Sequence, residues 1–131
     1  MNAEVRRLVS ERAGYCCEYC GISQREAGWS RFHVEHIVAR QHKGGDSFEN
    51  LCLCCQHCNL HKGPNLSGID PVTGLMTRLF HPRQDVWEVH FSAVGLEIIG
   101  CTPLGRATVE VLAMNSLKRI ELRRRLRADG V

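Results

Sequence analysis

No apolar run in this chain approaches the roughly 18 residues that a bilayer-spanning helix requires, and the opening MNAEVRRLVSERAG is charged where a signal peptide would be apolar. A cytoplasmic, reducing location with no membrane partner is therefore the expectation. The sequence also lacks internal repeats and low-complexity tracts, and its 44% apolar content speaks against wholesale disorder. Charge of one sign is not in large excess either. The 17 Lys and Arg residues outnumber the 14 Asp and Glu residues by only three, so the total charge is weak support for a nucleic-acid partner. A chain of 131 residues fits one domain, 1–131, which buries about two thirds of the surface its extended form exposes. A core of that size gains from a metal, a disulfide or a second subunit.

What the chain does have is concentrated. The stretch RFHVEHIVARQHKGGDSFENLCLCCQHCNLHKG, Arg31 to Gly63, holds five of the seven histidines and four of the eight cysteines. In a reducing compartment, cysteines are better explained as thiolate ligands than as a disulfide framework. Cys17-x2-Cys20 and Cys55-x2-Cys58 have the spacing at which each pair closes on one tetrahedral ion, and four soft sulfurs select zinc, with rubredoxin-like iron fitting the same pattern. Such a site keeps no open position, so its role is to clip the N-terminal turn to the later segment. Cys16 and Cys54 adjoin the pairs and make a shifted register conceivable, but only the pairs named give x2 spacing on both sides. Cys52, Cys54, Cys101 and Met114 are expected to be packing residues.

Between and after the pairs stand Glu35, His36, Asn50, His57, Asn59 and His61. If the sulfur clip folds them together, carboxylate and amide oxygens converge beside an imidazole. That set suits a magnesium-like ion and phosphodiester hydrolysis, in which a neutral histidine takes a proton from water.

CEYCG followed by VEHIVARQHKGGDSFENLCLCCQHCNLHKG resembles the HNH endonuclease family over about residues 15–63. The resemblance implies an α+β fold, a small ββα-metal (His-Me) finger stabilised by a four-cysteine zinc site. It implies His36 as general base, Glu35 and Asn59 as ligands of Mg2+ or Mn2+, Asn50 as the residue that holds the loop and orients the base, and Lys62 as a phosphate contact. Glu35 stands where aspartate is commoner, and His57 or His61 would supplement or replace Asn59. The implied function is metal-dependent cleavage of DNA, expected to be double-stranded. A duplex break would need a homodimer or two events, and a phage or restriction partner is compatible. The alternative is a zinc-stabilised DNA-binding module that does not cut.

The remaining elements are read from pattern. Val5, Leu8 and Val9 predict a helix over 2–13 that stops at Gly14. RFHVEHIVA predicts a strand bending near Glu35 and His36, and Ser47 to Gly63 a turn leading into a helix. Pro64, Gly68, Pro71 and Gly74 break further helix. The C-terminal extension, 79–128, begins with a section resembling the tail of small stand-alone HNH proteins. There DVWEVHF and LEIIGC predict a β-hairpin around Gly95, packed by Trp87, Phe91, Leu96 and Ile98. Thr102 and Pro103 predict a helix start. A last helix from Ser116 carries Leu117, Ile120 and Leu126 as its apolar side. Its basic residues Lys118, Arg119, Arg123, Arg124, Arg125 and Arg127 would follow a phosphate backbone or form a solvated face.

Overall fold

The computed structural model describes residues 2–28 and 31–129 as a mixed α+β chain. The chain divides into two compact units. One runs to Leu66 and takes back His81–Asp85; the other comprises Ser67–Phe80 and the chain from Val86 onward. The second unit thus begins before residue 79, where sequence places the extension. Among the described residues no helix is long and apolar enough to cross a membrane.

The first unit opens with helix α1, Ala3–Arg12, because Asn2 accepts a hydrogen bond from the Val5 amide (2.9 Å) and satisfies one free N–H of the first turn. Gly14, at φ 63°, ends it. Strand β1, Phe32–His36, pairs antiparallel with β2, Leu51–Cys55, in a two-stranded sheet with Phe32 opposite Cys55 and His36 opposite Leu51. Directly opposed residues share a face. One face therefore carries Phe32, Val34, His36, Leu51 and Leu53, and the other His33, Glu35, Cys52 and Cys54. Val9 of α1 packs with Leu51 and Leu53, flanked by Val5, Ala13, Phe32 and Val34. The Arg12 guanidinium ties α1 to the start of β2 by donating to the carbonyls of Phe48 (2.9 Å) and Leu51 (2.6 Å).

Helix α2, Gln56–Lys62, follows β2 directly, touches both strands, and buries Cys58 and Lys62, four residues apart on one side. The sequence pattern predicts only a turn between Ser47 and this helix. The strand is missed because all five β2 residues are buried, so no in–out alternation marks it. The outer edge of β2 is occupied by Glu18, whose amide donates to the Leu53 carbonyl (2.9 Å) and whose carboxylate accepts from the Leu53 amide (2.7 Å). Arg83, from the returning segment, forms an ion pair with the same carboxylate.

In the second unit, β3 (Ser67–Ile69) pairs with β4 (Met76–Arg78), and β5 (Phe91–Val94) with β6 (Glu97–Gly100), both antiparallel. Helix α3 is one turn, Trp87–His90. It replaces the first strand expected from DVWEVHF; the extended segment starts at Phe91. Helix α4, Pro103–Val111, has Thr102 accepting from the Gly105 amide (3.0 Å), and α5, Leu117–Ala128, starts at Ser116, as predicted. Phe80, Phe91, Ile98, Leu104, Ala107, Leu112 and Met114 form the buried core. Gly100 and Gly105 let β6 and α4 meet at backbone distance, where a Cβ would strike the Arg106 backbone or the His90 carbonyl. Asp70 is wholly buried and accepts two bonds from Arg106 (2.8 and 2.9 Å), besides one from the Val72 amide and one from the Thr73 hydroxyl. On the apolar side of α5, Leu117 is 89% exposed while Ile120 and Leu126 are half-buried. One expectation is corrected. Cys101 is exposed, since it follows β6 on the outside.

Candidate metal centre and candidate active site

Two short turns bring the thiolate ligands together. The Cys17 amide donates to the Ile22 carbonyl (2.8 Å) and Cys16 bridges to Ser23, folding 16–23 back on itself. In that turn the Cys20 amide points at the Cys17 sulfur (3.5 Å). At the start of α2 the Cys58 amide points at the Cys55 sulfur at the same distance. The Sγ atoms of Cys17, Cys20, Cys55 and Cys58 all lie within 4.8 Å of one another, and those of Cys20 and Cys55 are 3.8 Å apart. Sulfurs at the corners of a tetrahedron of about 2.3 Å zinc–sulfur bonds are about 3.8 Å apart. The donor set therefore fits zinc, held by the two pairs the spacing selects.

Four sulfurs this close cannot all ionise without a cation among them. Cys20 is held well below the usual thiol range by hydrogen bonds from Cys17, Cys55 and Cys58. Burial drives Cys17 up, and sharing hydrogen with Cys17 and Cys20 drives Cys55 and Cys58 up. Metal loading would then displace protons from the cluster. Burial pushes the Cys52 thiol up to about 12, and its sulfur lies 3.9 Å from the Tyr19 hydroxyl, the environment of a packing cysteine.

The predicted oxygen and nitrogen ligands are distributed around β1. Glu35 and Asn59 are half-buried, and neither side chain makes a hydrogen bond or ion pair among the described residues. Asn59 and Lys62, three residues apart, share the side of α2 that meets the strands. Lys62 is only 6% exposed and donates to the Ile37 carbonyl (2.9 Å) at the end of β1. Burial lowers its pKa, partly offset by the charges of Cys52, Cys54 and Glu35. Lys62 thus staples the end of α2 to the residue that follows β1. His57 and His61 rest ring against ring, with centroids 4.3 Å apart. Among the described residues, no second group of three His, Cys, Asp or Glu side chains gathers at ligand distance.

His36 follows Glu35 on the strand and so faces the other way in register, at the last paired position of β1. Its Nε2 meets Asp46 Oδ1 at 2.7 Å, and Arg40 pairs with the same oxygen (3.1 Å). These contacts hold the Asp46 carboxyl below its usual range, the His36 hydrogen bond first and the Arg40 charge second. Asp46 is a partner that sequence reasoning missed; its only signal was a loop carboxylate ten residues from the histidine. The Asn50 side chain accepts from the Val38 amide (2.9 Å) and donates to the carbonyls of Val38 (3.0 Å) and Gly45 (2.8 Å). Gly44 lies so close to Val38 and Asn50 that any Cβ would collide.

The basic C-terminal residues do not act as one set. Arg123 donates to the carbonyls of Leu96 and Met114 and to Asn115, fixing the start of α5, and Arg127 donates to the Gly95 carbonyl. Arg124 pairs with Glu121, and Lys118 and Arg125 are exposed. Arg123 thus clamps the start of α5 to the Leu96 and Met114 carbonyls.

Residues 17–65 match the family model for HNH endonuclease. No curated protein and no solved structure matches the chain. The match covers both cysteine pairs, β1, the loop, β2 and α2. With the four-sulfur cluster, it supports a nuclease or DNA-binding role.

Proposed function

We propose that the chain is a metal-dependent endonuclease, that β1, β2 and α2 form a ββα-metal finger, and that His36 is the general base for hydrolysis of DNA phosphodiester bonds. The observation that carries this reading is the pairing of His36 with Asp46 at the end of the strand whose preceding residue, Glu35, is a half-buried carboxylate with no hydrogen bond or ion pair among the described residues. Glu35 and Asn59 would hold Mg2+ or Mn2+, an oxygen donor set that suits either ion. Such an ion supplies charge stabilisation at the phosphate and the leaving oxygen.

The remaining steps belong to the protein. An ionised carboxylate only accepts hydrogen bonds, so in neutral His36 the proton lies on Nε2 and the lone pair on Nδ1. Nδ1 takes the proton of the attacking water, and Asp46 stabilises the imidazolium that results. Among the described residues the sheet has two strands, and no further strand pairs with β1. A phosphodiester placed across that free edge at residues 35 and 36 would be approached by both side chains, although they face opposite sides. The opposite facing of Glu35 and His36 is also what favours the second reading, a zinc-stabilised DNA-binding module that does not cut.

Supercoiled plasmid separates the two. Zinc-loaded protein with Mg2+ or Mn2+ should nick the plasmid, and His36→Ala should lower the rate by about 10²–10⁴. Zinc content, melting temperature and DNA binding should be unchanged in that variant. Absence of cutting by the parent protein with every ion, with DNA binding retained, would leave the binding module.

A further inference from the structure

On the α1 side of the β1–β2 sheet lies a groove of about 430 Å³. Arg6 and Arg7 of α1, Tyr15, Arg31, Phe32 and Val34 line it, and no acidic side chain does among the described residues. Arg7 is already paired with Glu4 and Glu11. Arg6 and Arg31 are exposed and have no acidic partner among the described residues, so they bring uncompensated positive charge to the rim. The volume is that of a pocket for one small organic group, too small for a duplex.

Tyr15 is the unusual member. Its backbone is left-handed at φ 58°, directly after Gly14 in the same region, a conformation that a bulky side chain disfavours. Two hydrogen bonds hold it there, from its amide to the Ser10 carbonyl (2.9 Å) and from the Gln24 amide to its own carbonyl (2.8 Å). Tyr15 is 48% exposed, so core packing does not account for keeping tyrosine at a position where glycine would be relaxed. Strain of this kind concentrates where a side chain must be presented to a ligand.

Register connects the groove to the candidate active site. Phe32, Val34 and His36 alternate along one face of β1, so Val34 stands one side-chain repeat, roughly 6.7 Å, from His36. A nucleic-acid strand following β1 could therefore occupy the groove and the candidate base together.

We propose that the groove is a subsite for an unpaired nucleotide next to the scissile bond, with the Tyr15 ring stacking on its base and Arg6 and Arg31 holding flanking phosphates. An exposed aromatic ring sharing a groove with uncompensated arginines is how unpaired strands are held, because a base inside a duplex has no free face to stack on. The connection to cleavage rests on the nuclease reading; the binding itself does not.

Binding is measured by fluorescence anisotropy of a labelled 12-nucleotide single-stranded DNA, with zinc-loaded full-length His36→Ala protein so that nothing is cut. Tyr15→Gly relieves the backbone strain and removes the ring. It should keep or raise the melting temperature and weaken binding by about five- to a hundredfold, while Tyr15→Phe stays near the parent. Arg6→Gln and Arg31→Gln should each reduce the slope of log affinity against log salt by about 0.7. The proposal is overturned if Tyr15→Gly binds the single strand within twofold of the parent, if the arginine variants leave the salt slope unchanged, or if the parent prefers the matched duplex. Loss of plasmid cutting with these binding results intact would remove the nuclease reading and leave the subsite standing.

Discussion

The two units of the chain are held together by different means. In the second, Phe80, Phe91, Leu104, Leu112 and Met114 are buried, and so is Asp70, whose carboxylate accepts from the partly exposed Arg106. In the first, the apolar cluster is essentially Val9, Leu51 and Leu53, and much of the rest of the interior is sulfur. Polar site residues are placed where ligation, not apolar burial, would hold the chain. Glu35, Asn50 and Asn59 are half-buried polar groups whose positions apolar burial alone cannot fix, and all lie on the unit where a metal ion would fix the chain instead.

The comparison can be broken most severely at the sulfurs. Cys58→Ser, or stripping zinc with a chelator, should unfold the first unit while the second keeps its amide protection, because structural zinc contributes on the order of 10 kcal/mol at neutral pH. Metal analysis and residue-resolved hydrogen exchange check this, and simultaneous loss of protection in both units would refute the contrast. Acid should act in the same order. Zinc ligands bind only when deprotonated, so zinc should leave as the pH falls to about 5. Asp70, by contrast, has a folded-state pKa held well below its ordinary value, mainly by Arg106. Its contribution is complete above the unfolded carboxyl value of about 3.9 and fades only as pH falls below it toward the folded value. An acid titration followed by NMR should therefore lose the first unit's signals first.

A smaller effect comes from the other side of the comparison. Phe91→Ala should cost about 3–5 kcal/mol in the second unit, read by denaturant unfolding, without changing zinc content. Asn50→Ala should cost about 1–3 kcal/mol in the first, since the Val38 amide loses its acceptor, and should slow plasmid cutting by releasing the Asp46 loop. Smallest of all, Leu117→Gln should change stability by less than about 0.5 kcal/mol, because that side chain is already in water.

Local signals explain what was legible beforehand. Thr102 and Ser116 announce helix starts through bonds to amides three residues on, and each x2 cysteine pair is a self-contained turn. Trp87 to His90 misleads because one helical turn is too short to separate a period of 3.6 from a period of 2. The roles of Asp46, Lys62 and Arg123 depend on partners brought near by folding: the His36 imidazole, the Ile37 carbonyl and the Leu96 carbonyl. No spacing rule within their own segments encodes those meetings. The strain at Tyr15 is likewise invisible in a sequence where Gly14 alone looks like the helix stop.

The Glu18–Arg83 pair bears on how the chain is made. Glu18 sits against the edge of β2, and its cationic partner arrives only with His81–Asp85, after β3 and β4 have been synthesised. A ribosome that has just released Leu66 has supplied all four sulfurs and every element from α1 to α2, yet leaves a largely desolvated carboxylate without its counter-charge. The nascent N-terminal portion should therefore gain its full order only after about twenty more residues have emerged, at a typical pace of about 5–20 residues per second.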